Sequence, residues 1–343
     1  MLTCANRRRR AFIRPRIALL DTRPDDRPCL LLPVFNDWDA VRLLVDSLDA
    51  VLTSAGVRAD VLVVDDASTM PRPDTFGRQT FVSIRTLSVL RLRRNLGHQR
   101  AIAIGLTWLY ANSPCRTFIV MDGDSEDDPT DVPRLLDAFR ATGGAHIVFA
   151  ERRRRSESIR FRVGYAIYRW LHVLLTGRQV RVGNFSVLPR QALDALVVVS
   201  ELWSHYAAAV LKARLPYSTV PTARARRLAG TPSMNVTALV VHGLSAMSVY
   251  SDTIGIRLLA GAGVLAMLAA AVGMATFWGL LPPATFWSRA AGVVVPVGLN
   301  TVALALIFSI TVLLARQNFG FIPQRDYHWF VSDVTEVCSP TEP

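Results

Sequence analysis

Residues 117–128 read TFIVMDGDSEDD, an apolar run that gives way at once to a cluster of carboxylates. The same change occurs after residues 59–64 (ADVLVV), which Asp65-Asp66 follow. A third apolar run, residues 29–34 (CLLLPV), precedes Phe35-Asn36-Asp37. Short apolar runs are typical of buried strands. The sequence therefore predicts three strands with acidic side chains just after their carboxyl ends.

Helical and extended patterns alternate over most of the first 213 residues. Alternating strands and helices favour an α/β fold, with a mostly parallel sheet and helices on both faces. Ligands bind such sheets at the carboxyl ends of the strands. Strands are predicted within residues 29–34, 59–64, 82–92, 117–121, 146–150 and 185–188, and helices at 38–52, 97–110, 132–141, 160–175 and 202–213.

Composition excludes several classes of protein. The 343 residues carry 39 Lys+Arg against 27 Asp+Glu, and 51% are hydrophobic while 19% are charged, which excludes a disordered chain. Four dispersed cysteines without a CxxC pair exclude a disulfide scaffold, and we expect reduced thiols in a domain that faces the cytosol. Aromatic residues do not interleave with the Arg runs, so no nucleic-acid partner is expected.

Two apolar runs near the carboxyl terminus are long enough to cross a bilayer. No charged residue occurs at 258–288 or 290–315, and a spanning helix needs about 20 apolar residues. We predict transmembrane helices at about 256–281 and 290–315. Only three of the 39 basic residues follow Arg257, so the positive-inside rule places the larger part of the chain in the cytoplasm.

The acidic clusters predict a cation site. Carboxylates brought to one sheet edge repel one another, and a divalent cation removes that conflict. Mg²⁺ typically takes one or two carboxylates together with substrate phosphates. Asp122 and Asp124, two residues apart after a strand, suit that geometry. A turn or helix cap would explain each cluster taken alone, but their order along one chain favours a site.

In these motifs the sequence resembles the family 2 glycosyltransferases of GT-A fold, and among them the polyprenyl-phosphate glycosyltransferases, including dolichol-phosphate mannose synthase-like proteins. The resemblance covers about residues 30–250, and the C-terminal hairpin resembles that of bacterial membrane-anchored members. It rests on LPVFND (32–37), VDDAS (64–68), Asn95-x-Gly97 with Ala101 and Gly105, MDGD (121–124), Gly183-Asn184-Phe185 and Arg227-x-x-Gly230.

The resemblance implies roles for matching residues. Asp122 and Asp124 would bind Mg²⁺ or Mn²⁺ and the diphosphate, and Arg227 would contact a phosphate. The donor, a UDP- or GDP-sugar, would be bound by Pro33, Phe35, Asp37, Asp65, Asp66, Asn95, Glu126 and Arg152. The lysine of the family's Ser-Lys pair is absent, because residues 230–234 read GTPSM, so acceptor phosphate contacts are expected from Arg224 and Arg226 beside Arg227.

The predicted function is an inverting transfer of a sugar to a polyprenyl phosphate. This acceptor is anionic at neutral pH and needs no general base, and no QxxRW motif is present. One alternative is transfer to a hydroxyl of a lipid-linked glycan, with Glu201 as base, and Glu201 and His205 would then share a helix face. Another is an inactive scaffold that binds nucleotide sugar. For His98 we expect helix capping or packing.

The predicted organisation places a multi-pass protein in the bacterial inner membrane, with its catalytic domain in the cytoplasm and, by resemblance, in a homo-oligomer. The segments are a basic arm (1–28), the GT-A domain (29–234), an amphipathic interfacial helix (235–253), two transmembrane helices (254–316) and a cytoplasmic tail (317–343).

Overall fold

The computed structural model describes residues 27–152, 159–178, 182–223, 225, 243–278, 286–317 and 320–338. Its strands are β1 (Cys29–Val34), β2 (Ala59–Asp65), β3 (Ile84–Leu92), β4 (Thr117–Val120), β5 (Ile147–Arg152), β6 (Ser186–Pro189), β7 (Tyr217–Thr222) and β8 (Val331–Cys338). Its helices are α1 (Trp38–Ser54), α2 (His98–Asn112), α3 (Asp131–Ala141), α4 (Ile159–Thr176), α5 (Arg190–Leu196), α6 (Glu201–Ser204), α7 (Tyr206–Lys212), α8 (Ser251–Phe277), α9 (Phe286–Gln317) and α10 (Pro323–Asp326).

All eight strands form one mixed sheet in the order β7-β5-β6-β4-β1-β2-β3-β8. The central strands pair in parallel, β4 with β1, β1 with β2 and β2 with β3. Strand β6 runs antiparallel between β4 and β5, and β8 runs antiparallel beside β3. The chain winds outward in both directions from the β1–β4 pair. Ligand sites in α/β sheets lie at such a switch point.

The sheet is buried on both faces. One hydrophobic core lies between the sheet and α2, and the other between the sheet and helices α1 and α3. All six residues of β1 are buried, as expected for a central parallel strand. Gly105 lets α2 approach the sheet closely, since a Cβ there would lie 2.4 Å from Leu31 and 2.6 Å from Val64. The α/β expectation is confirmed.

The expectation of reduced thiols is wrong for one pair, because the structure joins Cys29 to Cys115 by a disulfide. The two residues are separated by 86 positions, but β1 and β4 are neighbours and the two Cα atoms lie 6.1 Å apart. The bond lies at the amino ends of these strands, opposite their acidic carboxyl ends. Cys338 is a free thiol. Pairing depended on strand order, which cysteine spacing does not reveal.

Helices α8 and α9 pack together through small residues. Ala262, Ala269 and Ala305 are buried, and a Cβ on Gly298 would lie 3.3 Å from Ala269. Large apolar side chains point outward instead. Within the described residues, one helical segment, Ser251–Ala275, is long and apolar enough to cross a membrane. The apolar part of α9 at Val295–Phe308 is shorter, and Pro296 lies inside that helix.

The segment after α9 returns to the domain. Strand β8, predicted as part of a tail, extends the sheet beside β3. The Trp203 ring packs against Phe321 and Phe330, and the Gln324 amide donates to the Val197 carbonyl. The chain before α8 and the chain after α9 therefore belong to one folded domain. If the chain crosses a membrane between these two segments, it must cross that membrane an even number of times.

The start of α8 is bound to the domain by polar contacts. Lys212 Nζ donates to the Val249 carbonyl at 2.7 Å and lies 3.4 Å from the Asp252 carboxylate. Arg257 donates to the Leu174 carbonyl at 2.7 Å, at the end of α4. Of the predicted interfacial helix, residues 235–242 lie outside the described residues, while 243–248 are helical.

Candidate functional site

Four loops meet at the carboxyl edge of the central strands, and each contains a residue with left-handed backbone. These are Asn36 after β1 (φ 56°), Ala67 after β2 (φ 56°), Gly97 after β3 (φ 91°) and Ser125 after β4 (φ 62°). Non-glycine residues rarely adopt this conformation, and strained backbone positions cluster at functional sites. Three of the four described non-glycine residues with positive φ lie at the edge of the acidic motifs, and the fourth is Arg214, just before β7.

The loop after β4 is held in one shape by its own carboxylates. The Asp122 amide donates to Asp127 Oδ2 at 3.2 Å, and the Glu126 amide donates to Asp124 Oδ1 at 3.1 Å. Gly123 lies so close to β1 that a Cβ there would be 2.3 Å from the Pro33 carbonyl oxygen. Asp122 and Asp124 are half-buried. Asp122 and Asp124 therefore lie on either side of Gly123, where the loop after β4 passes close to β1.

Asp122 has two partners that sequence reasoning did not assign to it. His98 Nε2 lies 2.9 Å from Asp122 Oδ1, and Asn184 Nδ2 lies 3.2 Å from the same oxygen. Burial works to lower the pKa of His98, but the carboxylates of Asp122, Asp124 and Asp127 outweigh it, so this pKa is raised. The helix capping or packing expected for His98 does not account for its hydrogen bond to Asp122. In the sequence, only its position directly after Asn95-x-Gly97 indicated that His98 lies near the site.

Asp65 and Asp66 organise neighbouring loops. The Asp66 carboxylate accepts the amides of Leu96 and Gly97 at 2.7 and 2.8 Å, fixing the turn before α2. Burial raises the pKa of Asp66, and these two hydrogen bonds offset part of that effect. Asp65 Oδ1 accepts the Ser68 amide at 2.8 Å. Their nucleotide-binding role stays a prediction, and their visible contacts shape the site's walls.

The other residues predicted to bind the donor lie around the same edge. Phe35 follows β1 and is 45% exposed, which leaves its ring accessible to a base. Asp37 precedes α1, and its carbonyl accepts the Val41 amide. Asn95 is exposed in the turn before α2, and Glu126 is half-buried in the acidic loop. Arg152 is the last residue of β5. Their contacts with a nucleotide remain predictions.

Comparisons with known proteins agree with this geometry. Residues 29–195 match the model described as glycosyl transferase family 2. This segment is a family 2 glycosyltransferase domain. It includes the four loops and both Asp122 and Asp124, and it confirms the family resemblance and, with the mixed sheet, the expected GT-A class.

Two curated relatives of the glycosyltransferase domain carry names of lipid-phosphate enzymes. An undecaprenyl-phosphate 4-deoxy-4-formamido-L-arabinose transferase from Salmonella paratyphi A is 23% identical over 141 residues, 41% of each chain. A dodecaprenyl-phosphate galacturonate synthase from Rhizobium johnstonii is 29% identical over 107 residues, 31% of this chain and 30% of that protein. The matched part thus spans less than half of these relatives.

Among solved structures, glucosyl-3-phosphoglycerate synthase from Mycobacterium tuberculosis, in complex with Mn²⁺, UDP-glucose and phosphoglyceric acid, superposes with a TM-score of 0.49. It is 17% identical, and the match covers 67% of this chain and 80% of that one.

One described residue beyond β7, Ala225, contacts the acidic loop. Arg224, Arg226 and Arg227 lie outside the described residues. Ala225, between the first two, donates its amide hydrogen to the Glu126 carbonyl at 3.1 Å. Ala225 therefore contacts the loop that carries Asp122 and Asp124.

Glu201 has a partner at the junction with α8. Its Oε1 lies 2.9 Å from Lys212 Nζ. Partial burial works to raise the pKa of Glu201, but the hydrogen bond from Lys212 outweighs it and holds that pKa below its usual value. The expected shared helix face with His205 is wrong, because the helix breaks at His205, whose ring accepts the Ala208 amide and caps α7.

The donor set at the acidic loop fits a hard divalent cation. Asp122 and Asp124 offer carboxylate oxygens, which Mg²⁺ and Mn²⁺ prefer. Within the described part of the chain, the one group of three ligand-type residues with mutually close atoms is Cys29, Asp60 and Cys115, at the other end of the strands, and the disulfide already occupies both of its sulfurs. Two carboxylates fit a cation whose remaining ligands come from a substrate diphosphate and water.

Proposed function

We propose that this protein is a membrane-anchored inverting glycosyltransferase that moves a sugar from a UDP- or GDP-sugar to a polyprenyl phosphate. The observation that carries the proposal is the hydrogen bond from Ala225 to Glu126. In the sequence Ala225 lies between Arg224 and Arg226, and Arg227 follows, so three arginines are neighbours in sequence of a residue that contacts the loop of Asp122 and Asp124. Arginine binds phosphate oxygens through two parallel hydrogen bonds, and an acceptor phosphate and a donor diphosphate would meet there.

The proposed mechanism assigns tasks to the chain's own residues. Asp122 and Asp124 would hold Mg²⁺ or Mn²⁺, and the bound cation would stabilise the negative charge of the diphosphate leaving group. The loops that Asp66 and Asn36 hold in place line the nucleotide. Arg224, Arg226 and Arg227 align the acceptor phosphate. That phosphate attacks without losing a proton, so no general base is required.

Membrane anchoring is supported by apolar surface outside the core. The outer faces of α8 and α9 are formed by large apolar side chains. Helix α4 exposes Trp170, Leu171 and Leu174 beside the point where Arg257 binds its end. Soluble proteins rarely expose apolar surface this extensive. We place the catalytic domain at the cytoplasmic face of a bacterial inner membrane, with α8 and α9 crossing it as a hairpin and the chain in a homo-oligomer.

The test is sugar transfer by the purified full chain in detergent. Labelled UDP- and GDP-sugars are screened with undecaprenyl phosphate and Mn²⁺, then repeated with EDTA and with Asp124→Ala. We expect a metal-dependent lipid product that falls about a hundredfold in the variant, because the leaving group loses its charge stabilisation. Asp137→Asn, on the exposed face of α3, is the matched control.

Other outcomes would contradict the proposal. Metal-dependent donor hydrolysis without a lipid product would indicate a hydroxyl acceptor with Glu201 as base. Nucleotide binding with neither hydrolysis nor transfer would indicate a scaffold.

A further inference from the structure

A chain of side-chain hydrogen bonds runs from the start of α7 to Asp122. The Tyr206 amide donates to Gln99 Oε1 at 2.8 Å. Gln99 Nε2 lies 3.0 Å from Asn184 Oδ1, and Asn184 Nδ2 lies 3.2 Å from Asp122 Oδ1. Gln99 and Asn184 are each 8% exposed. We call these two residues the amide relay.

The direction of donation along the amide relay is fixed at its first step. A backbone N–H can only donate, so the Gln99 atom facing Tyr206 is the carbonyl oxygen. The Gln99 amide nitrogen therefore faces Asn184 and donates to its oxygen. This leaves the Asn184 amide nitrogen 3.2 Å from Asp122 Oδ1, to which it donates, and 3.0 Å from His98 Nε2. The relay thus delivers a hydrogen-bond donor to one oxygen of the Asp122 carboxylate.

The fold explains why these distant residues meet. Strand β6 is antiparallel to β4, with Ser186 opposite Val120. Asn184, two residues before Ser186, is therefore carried to Asp122, two residues after Val120. Tyr206 also stabilises the position of Asn184 through a second contact. Its hydroxyl lies 2.8 Å from Ser186 Oγ, and Ser186 Oγ donates to the Asn184 carbonyl.

The relay begins on the helix that binds the membrane segment. Helix α7 starts at Tyr206 and ends at Lys212, whose ammonium group contacts Val249 and Asp252 at the start of α8. The position of α7 is therefore connected to the anchor at one end and to Asp122 at the other.

We propose that Gln99 and Asn184 are positioning residues that fix the Asp122 carboxylate for divalent-cation binding and link it to the helix that docks the membrane anchor. This rests on the proposed function, in which Asp122 binds the cation. Hydrogen-bond partners of metal ligands typically change metal affinity or activity by about 10- to 100-fold when they are removed.

The experiment measures Mn²⁺ binding directly, by the loss of the free-ion electron paramagnetic resonance signal on titration of the full chain in detergent. Mn²⁺ is titrated alone and again with UDP or GDP present. Asn184→Leu removes the donor that the relay supplies to Asp122 and keeps His98, the other partner of that oxygen. Gln99→Glu keeps the acceptor for the Tyr206 amide but removes the donor to Asn184. It therefore distinguishes an effect of the hydrogen bond to Asn184 from an effect of the contact that holds α7. Asn112→Leu, at the exposed end of α2, is the matched control.

We expect Asn184→Leu and Gln99→Glu to weaken Mn²⁺ binding about tenfold. Both variants should stay folded at the temperature of the titration, which their melting curves check. Asn112→Leu should bind Mn²⁺ as the wild type does.

Unchanged Mn²⁺ affinity in Gln99→Glu would overturn the relay while leaving the proposed function intact. Wild-type protein that binds no Mn²⁺, with or without nucleotide, would overturn both. If Asn184→Leu does not fold, Gln99→Glu alone decides, because it preserves the shape of the side chain.

Discussion

The sheet domain and the α8–α9 hairpin bury opposite kinds of side chain. In the domain, Leu30, Leu31 and Leu32 of β1 are completely buried. In the hairpin, Ala262 and Ala269 are buried, whereas large side chains such as Leu268 point outward. Both regions are rich in apolar residues. The domain buries its large apolar side chains, whereas the hairpin buries small ones and exposes large ones.

The surrounding medium explains this reversal. In water, burying large apolar side chains gives the greatest stabilisation, so they fill the core. In lipid, large side chains gain nothing by leaving the tails, and small residues at the interface let helices approach closely. The inverted pattern therefore supports a lipid environment for the hairpin, independently of any count of apolar residues.

Reduction of the disulfide should produce the largest difference between the two regions, since the hairpin contains no cysteine. Opening the Cys29–Cys115 link frees a loop of 86 residues and should lower the stability of the oxidised domain by about 4 kcal/mol. Melting followed by tryptophan fluorescence with and without dithiothreitol measures the effect. Cys338→Ser should leave it unchanged. Two free thiols at Cys29 and Cys115 in oxidised protein would refute the prediction.

A matched pair of leucine truncations tests the reversal itself. Leu31→Ala should cost about 3 kcal/mol, because it leaves a cavity between β1 and α2. Leu268→Ala, on the 56% exposed face of α8, should change the melting temperature in detergent very little. A comparable loss in both variants would mean that the outer face of α8 packs against protein.

The junction between the regions should show the smallest effect. Glu201→Gln breaks the pair with Lys212, the only lysine in the chain, and should cost up to about 1 kcal/mol at pH 7. Because the pKa of Glu201 is lowered in the folded protein, stabilisation by the pair is fully present above pH 4.5 and is lost as the pH falls through that lowered pKa. The difference in melting temperature between the variant and the wild type should therefore shrink as the pH is lowered from 4.5, and Glu336→Gln serves as an exposed control. A difference that does not shrink at acid pH would place the effect outside this pair.

Most of the domain's elements followed from local pattern. Strand β1 was predicted with its observed bounds, and the predicted helices of residues 38–52 and 132–141 differ from α1 and α3 by at most two residues at either end. The predicted helix of residues 202–213 was wrong in one respect, because it is broken at His205. The helix break at His205, where the backbone is extended, could not be predicted from the spacing of apolar residues.

Three features could not be predicted from the sequence, because they depend on the order of the strands in the sheet. Strands β7 and β8 lie at the two edges of the sheet and are half exposed, so they lack the apolar runs that identify central strands. The Cys29–Cys115 bond requires β1 beside β4. The contact of Asn184 with Asp122 requires β6 to run antiparallel to β4.

The sequence by itself determined the α/β class, the acidic loops after β2 and β4, and the apolar carboxyl-terminal segment, since each depends on side chains close together in the chain. Only the tertiary structure decided which residues contact Asp122, that Ala225 contacts the acidic loop, and how the chain after α9 rejoins the sheet. Those contacts join residues far apart in sequence, and only the pairing of strands brings them within hydrogen-bond distance.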